Sequence, residues 1–439
     1  MWYHSLSHNV PKGKIAMNHY TTLGNDLQRS LLRFSQKISK GLTKPKQNFV
    51  GQMLYGIIAS ESCKLTEIGR ALKENIELKE TEKRLGRNLS SFSDSELAAE
   101  QYLESVKPLF GKDTLLLIDP SDVTKPCSPK MEAIGSVYDA SEGKYGDGYW
   151  TLGVAALTGN RQPIPIYERL YPNTKQGGEG ANAEMDKAMR FIRENFDAET
   201  VRVLDRGFDS GRIMNEFCSH GERFILRANQ NRVVCHHGVI TKTDAVASRI
   251  DCSYTMRFSS KTGNKSICRI GITEVIFPRM KNLRLKLVVC RNFGDDPLVL
   301  YTNIDEPAED IAERVVRAYL MRWRIEEMYA FKKQRLHFED FRVRSLASIR
   351  ALDLLVTAAI GYIGVMAAKV DESVRSARLI YISKRIQSYH KFIRNTKFYY
   401  YALLDGITSV FASLRHGIPR PRAPEPRGQL SFFPLLKMG

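Results

Sequence analysis

Six side chains in this 439-residue chain have the types and spacing that chemistry on a phosphate ester requires. Asp119 follows the apolar run Thr114–Ile118, and Asp205 follows a second one, Thr200–Leu204. Continuous short apolar runs of this kind read as buried strands, so each carries a carboxylate to its end. Further on, Tyr319, Arg322, Glu326 and Lys333 lie in a stretch free of Pro and Gly, from just after Pro307 to Arg350. Such a stretch favours one long helix. At ~100° per residue, Arg322, Glu326 and Lys333 fall at roughly 300°, 340° and 320° from Tyr319, on a single stripe. Carboxylate oxygens suit Mg2+, and a two-ion site needs such ligands from several directions. The phenol, guanidinium and ammonium beside them suit a phosphate. Phosphoryl transfer on a polyanion is the chemistry implied.

Each feature alone has an ordinary explanation. Arg322 and Glu326 form a common i,i+4 ion pair on a solvated helix face, and an Asp at a strand end commonly shapes a turn or caps a helix. The combination of two strand-end Asp residues with the stripe is what singles out Asp119, Asp205 and Glu326. Asp122, in Asp119-Pro120-Ser121-Asp122, is an alternative ligand, because Pro120 would end strand pairing there. Trp323, at roughly 40° on the same wheel, reads more as a core residue than as a member of the site, and its role is left open.

The elements that must hold these residues follow from periodicity. After Thr114–Ile118 comes a loop containing Gly135, Gly143, Gly146 and Gly148. Tyr149–Leu157 and Gln162–Leu170 read as strands joined at Thr158–Arg161, and Ala183–Phe196 has helical spacing. Thr200–Leu204, a short helix Ser210–Ser219 and a strand Arg223–Ala228 follow. Three strands, then helix, strand, helix, strand is the order of a ribonuclease-H-like core. Residues 230–305 interrupt it with β-type runs at Tyr254–Phe258, Ile267–Ile276, Leu283–Val289 and Leu298–Thr302, with turns at Lys261–Lys265 and Asn292–Asp296. A β insertion subdomain is more economical than a structureless loop of that length.

The expected class is therefore mixed α/β. Residues 111–229 and 306–350 form the core, 230–305 the insertion and 1–110 a basic helical N-terminal region. Residues 351–418 form a helical C-terminal region and 419–439 a Pro/Arg-rich tail. In the N-terminal region, Leu65–Leu72 and Glu80–Leu89 with Arg70, Lys73, Lys83, Arg84 and Arg87 are either a helix-turn-helix-like DNA reader or plain helices with solvated basic faces.

Lys and Arg number 66 against 48 Asp and Glu, a net charge of +18. That excess favours a polyanionic partner, nucleic acid before anionic membrane. The seven cysteines are scattered, odd in number and without zinc-ligand spacing; Cys235-His236-His237 lacks a partner group. They read as structural thiols in a reducing compartment. No secretory signal is evident at the N-terminus. The most apolar run, Leu354–Ala368, falls short of the ~20 residues a membrane span needs and reads as a core helix.

The spacing Tyr319-x2-Arg322-x3-Glu326-x6-Lys333 resembles the signature of DDE transposases of the insertion sequence 4 family. Asp205-Arg206-Gly207-Phe208 resembles their second-Asp motif, and Asp119-Pro120-Ser121-Asp122-Val123 their first, although Pro120 departs from the commoner pattern. A β insertion before the Glu helix is a further likeness, and the resemblance covers roughly residues 110–350. It implies cut-and-paste DNA transposition. Asp119, Asp205 and Glu326 would hold two Mg2+ ions, with Mn2+ as a substitute. Water nicks the transposon end, and the freed 3′-hydroxyl attacks first the opposite strand, giving a hairpin, and then target DNA. Tyr319, Arg322 and Lys333 would grip DNA phosphates. The implied partners are double-stranded DNA (terminal inverted repeats and target) and a second copy in a homodimer. No membrane is involved, and the setting is the cytoplasm of a prokaryote, at the nucleoid when DNA-bound. The competing readings are a transposase-derived DNA-binding protein without activity, and a plain ribonuclease-H-like nuclease.

Overall fold

The computed structural model describes residues 14–139, 142–172, 180–259, 265–294, 296–387, 398–414 and 416–418. The tail 419–439, the expected turn at 261–264 and the basic residues Lys391, Arg394 and Lys397 lie outside the described residues.

Five helices open the chain: α1 (Lys14–Ile38), α2 (Lys44–Ser60), α3 (Leu65–Leu72), α4 (Leu78–Ser90) and α5 (Ser95–Val106). The core begins with β1 (Leu115–Thr124), β2 (Gly135–Asp139), β3 (Lys144–Leu157), β4 (Pro163–Tyr171) and α6 (Ala181–Asn195). It continues with β5 (Val201–Leu204), α7 (Gly211–Ser219) and β6 (Phe224–Arg227). In the sheet, β4 lies beside β3 and β3 beside β1, both pairs antiparallel, while β1, β5 and β6 run parallel. The crossovers are α6 and α7. This strand order, 4-3-1-5-6 here, is the ribonuclease-H-like sheet expected from the sequence. Leu116, Leu117 and Ile118 of β1 are fully buried, as a central strand covered on both faces requires.

Two corrections apply to the core. β1 does not stop at Ile118 but runs on to Thr124, paired with β3 throughout, Pro120 included. Its other neighbour, β5, ends at Leu204 opposite Ile118. From Asp119 onward β1 therefore pairs on one side only, and an edge strand tolerates a proline. The Gly-rich stretch read as a loop instead holds the hairpin of β2 and β3.

Residues 230–305 supply β7 (Val233–His236), β8 (Val239–Lys242), α8 (Thr243–Arg249) and β9 (Tyr254–Ser259). They continue with β10 (Lys265–Phe277), β11 (Leu283–Arg291) and β12 (Leu298–Thr302). β12 pairs antiparallel with β6, so the core sheet runs on through β12, β11 and β10. The chain returns through α9 (Ala308–Leu320), α10 (Trp323–Gln334), α11 (Leu346–Ala368), α12 (Val374–Gln387) and α13 (Tyr400–Ala412). α11 is long and apolar enough to cross a bilayer, longer than the run read from sequence, yet most of it is buried against α2, α5, α13 and β4. It is a core helix.

Ion clusters fasten α10 from behind. Lys332 is buried and bonds Glu168 of β4 at 2.7 Å and Asp353 of α11, with Thr357 donating to the same Glu168 at 3.0 Å. Arg335, just past α10, pairs with Glu61 after α2 and with Asp405 of α13. Among the described residues, Lys332 is the single cation paired with the two buried carboxylates. Lys332→Met is expected to lower the thermal midpoint, because stranding buried charges costs about 3–5 kcal/mol. Adding Glu168→Gln and Asp353→Asn to it should restore most of the loss in a calorimetric scan.

Candidate active site

Asp119 and Asp205 sit side by side because β1 and β5 are parallel neighbours, with Ile118 opposite Leu204. Asp119 is the next residue along β1, and Asp205 leaves β5 to begin a 3-10 turn at Arg206–Phe208. Glu326 arrives on the first turn of α10.

The stripe is not on one helix. α9 ends at Leu320 and α10 starts at Trp323, with i→i−3 backbone bonds at Met321, Arg322, Arg324 and Ile325 tightening the joint. No Pro or Gly marks this break. Tertiary bonds hold it: Tyr319 donates to Asp205 Oδ1 at 2.9 Å from the α9 side, and Arg322 reaches the carboxylates from the joint itself.

Arg322 is the centre of the site. It is buried, and its guanidinium lies 3.3 Å from Asp119 Oδ1 through Nη1 and 2.6 Å from Glu326 Oε1 through Nη2. Its Nε is 4.0 Å from Asp205 Oδ1, is buried and has no hydrogen-bond partner among the described residues. Arg227, ending β6, adds a second cation 3.9 Å from Asp205. Burial works against the Arg322 charge, but Asp119, Asp205, Tyr319 and Glu326 outweigh it and raise its pKa.

The carboxylates respond unequally. Burial pushes Asp119 up to about 7, with Arg322 offsetting this and Glu326 and Asp205 adding to it. Asp205 is also desolvated, yet the Arg206 backbone N–H, Arg322, the Tyr319 hydroxyl and Arg227 together hold it below the usual range. Burial first, and then Asp205, push Tyr319 up to about 12, so it is a neutral hydrogen-bond donor. Three carboxylates thus share mainly one guanidinium, and burial favours the acid form of the most buried of them.

Among the described residues no three His, Cys, Asp or Glu side chains form a ready metal cage. The three carboxylates gather instead around Arg322. Their donor type and their origin on three different elements fit a hard divalent ion. Coordination would require the guanidinium to swing aside.

Lys333 stands apart from this group. The sequence left a DNA phosphate as its better partner, but it bonds Asp122 Oδ2 at 3.0 Å and lies 3.3 Å from Glu339 Oε1. Asp122 is thereby neutralised away from the other three carboxylates. Trp323, read as core, is 58% exposed at the rim.

Residues that sequence reading missed complete the frame. The Tyr329 hydroxyl donates to the Asp119 carbonyl at 2.8 Å. Gly153, opposite Asp119 on β3, makes room for that hydroxyl, which a Cβ would strike. Tyr329 lies three residues after Glu326, so helical spacing was available as a signal. Gly153 and Arg227 gave none without the strand register.

The family described as Transposase DDE domain matches residues 111–361, a span that includes all three carboxylates and the insertion. The chain belongs to the DDE transposase family. It is thus an enzyme of DNA transposition, and the readings as a binding protein without activity or as a plain nuclease are not favoured. No curated protein matches the chain. Among solved structures it is similar to a piggyBac transposase synaptic complex with hairpin DNA, seen by cryo-EM. The two are 11% identical with a TM-score of 0.44, over 90% of this chain and 80% of that one.

In this transposase, Gly153→Ala should push Tyr329 off the Asp119 carbonyl. Overpacking of this kind costs about 1–3 kcal/mol, and metal-dependent strand cleavage should fall much further than stability does. Cleavage that merely tracks the thermal midpoint would show that Tyr329 does not position Asp119.

Proposed function

We propose that this transposase works by cut-and-paste chemistry of the insertion sequence 4 type, with Asp119, Asp205 and Glu326 as the ligands of two divalent ions. The observation that carries the reading is the convergence of three carboxylates from three elements on one buried guanidinium. Mg2+, or Mn2+ in its place, would supply an activated water and a counter-charge for the leaving 3′ oxygen.

The chain's own groups prepare that chemistry. Tyr319 holds Asp205 by a hydrogen bond, which fixes the carboxylate at the end of β5. Arg322 neutralises the site while DNA is absent, and its planar fork matches a phosphate as well as a carboxylate. An incoming phosphate therefore competes for Arg322 and frees the carboxylates. Lys333 has the same choice between Asp122, Glu339 and a phosphate. The substrate is double-stranded DNA: terminal inverted repeats that are nicked and converted to hairpins, then target DNA that receives the 3′ ends. The basic helices α3 and α4 are the natural reader of those repeats. Two copies acting on two ends make a homodimer, in the cytoplasm of a prokaryote and on its nucleoid.

Asp119→Ala, Asp205→Ala and Glu326→Ala are each expected to abolish Mg2+-dependent nicking of duplex DNA bearing the element's ends. Gel-shift binding should remain, and a variant that still nicks removes its residue from the ligand set. Arg322→Ala separates the two roles of the guanidinium. It should lower the thermal midpoint in EDTA, because three carboxylates then face one another. Mn2+ should raise that midpoint more than it does in the wild type, since binding to the folded state stabilises it. The salt dependence of DNA binding should lose about one phosphate contact. Equal Mn2+ responses in variant and wild type would argue against a shared site.

A further inference from the structure

A concavity of about 550 Å³ opens where β1 ends, five residues beyond Asp119. One wall is the segment after Thr124 and the other is residues 339–344. Five cations line it, Lys64, Lys125, Lys130, Arg342 and Arg344, against the carboxylates of Glu339 and Asp340. Part of that charge is spent on the protein itself. Lys64 pairs with Asp340 at 2.8 Å. Lys125 is buried and rivets the walls together, donating to the carbonyls of Glu339 and Phe341, both at 2.7 Å, and lying over the Phe341 ring. Further bonds stitch the same walls: Thr124 N–H to Glu339 Oε1 at 2.9 Å, Glu132 N–H to the Arg344 carbonyl at 2.9 Å and Leu346 N–H to Glu132 Oε2 at 2.8 Å.

The remaining cations, Lys130, Arg342 and Arg344, are exposed and have no ion-pair partner among the described residues. Three unpaired, exposed cations on a fixed concave frame favour a polyanionic partner. Glu339 also lines the concavity and lies 3.3 Å from Lys333, which links the concavity to the last turn of the helix that carries Glu326. Thr124 is five residues beyond Asp119 on an extended strand, about 17 Å away. That is roughly five nucleotide steps at the ~3.4 Å axial rise of one DNA strand. A duplex cut at Asp119 has its backbone within reach of the concavity.

We infer that this concavity is a second DNA-backbone site, in which Lys130, Arg342 and Arg344 hold phosphates roughly five nucleotides from the scissile one. The inference rests on the DNA-cutting reading above and adds residues outside the catalytic group. It belongs to the sequence-independent part of binding, because the donors are flexible cations facing phosphate rather than base edges.

Cys127 lines the concavity and is exposed, whereas Cys63, Cys252, Cys268 and Cys290 are buried. It is a built-in footprinting probe. The full-length protein in EDTA is mixed with a blunt duplex of arbitrary sequence at low salt and pulsed with a maleimide. Mass spectrometry then reads Cys127 against half-buried Cys218 and Cys235 as internal references. The duplex is expected to suppress Cys127 labelling, and added salt to restore it. In a parallel titration, the combined Lys130→Gln, Arg342→Gln and Arg344→Gln variant should flatten the slope of log K against log salt by about 2.7, at ~0.9 per lost contact.

Full Cys127 labelling in protein that a gel shift shows to be DNA-bound overturns the inference and leaves the catalytic reading standing. Equal suppression by inorganic phosphate at the same phosphate concentration also overturns it, assigning the concavity to small anions. Failure of the wild type to bind duplex at any salt removes the DNA reading and this site with it. The footprint uses the unaltered chain, so a poorly folding variant does not decide the outcome.

Discussion

The site depends on how one buried guanidinium is shared. Two unit charges about 4 Å apart interact by about 4 kcal/mol at an effective dielectric near 20. Repulsion among Asp119, Asp205 and Glu326 would oppose the packing of β1, β5 and α10 if nothing stood between them. Arg322 contacts two of the carboxylates closely and the third at 4.0 Å. It is incompletely satisfied, because its Nε is buried without a hydrogen bond among the described residues. The arrangement holds the three carboxylates together without satisfying every donor of the cation between them.

The opposite side of α10 explains why the helix can hold such a position. Ile325, Met328, Phe331 and Lys332 face the interior. Lys332 ties the helix to β4 and α11, and Arg335 ties its end to α2 and α13. The N- and C-terminal helical regions thus converge on the far end of the helix that carries Glu326. With that end fixed, the tightened joint at Met321–Ile325 sets where Arg322 points. Packing behind the helix becomes geometry in front of it.

The legible part of the sequence was what local pattern encodes. The apolar runs before Asp119 and Asp205, the amphipathic α6 and α7, and the long β-type runs of the insertion all appear where periodicity put them. The joint between α9 and α10 was hidden because Met321-Arg322-Trp323 are competent helix formers, and only bonds to distant residues break the helix there. The β2–β3 hairpin was hidden by glycines that usually mark loops, and β7, β8 and α8 by their brevity. The protein partners of Lys333 were hidden for a related reason. Helical spacing says what a side chain cannot reach on its own helix, but not that Asp122 and Glu339 approach from elsewhere. Trp323 shows the same limit: a wheel angle does not tell the buried face from the rim.

The insertion leaves and re-enters the catalytic sheet at a single edge. β6 ends at Arg227, and β12 returns antiparallel beside it, with Leu300 opposite Arg227. Seen from the core, residues 230–297 are a long excursion whose two ends are hydrogen-bonded neighbours. Closing such an excursion costs only slowly more as it lengthens, and the β6–β12 pairing fixes where α9 begins whatever lies between. The excursion is also tied back, since Arg317 of α9 donates to the Arg257 carbonyl of β9. Tyr319 and Arg322 follow within two turns of that bond. A β module can thus be inserted in the middle of the site's sequence without disturbing the distance between Asp205 and Glu326, because the sheet, rather than the intervening chain, sets that distance.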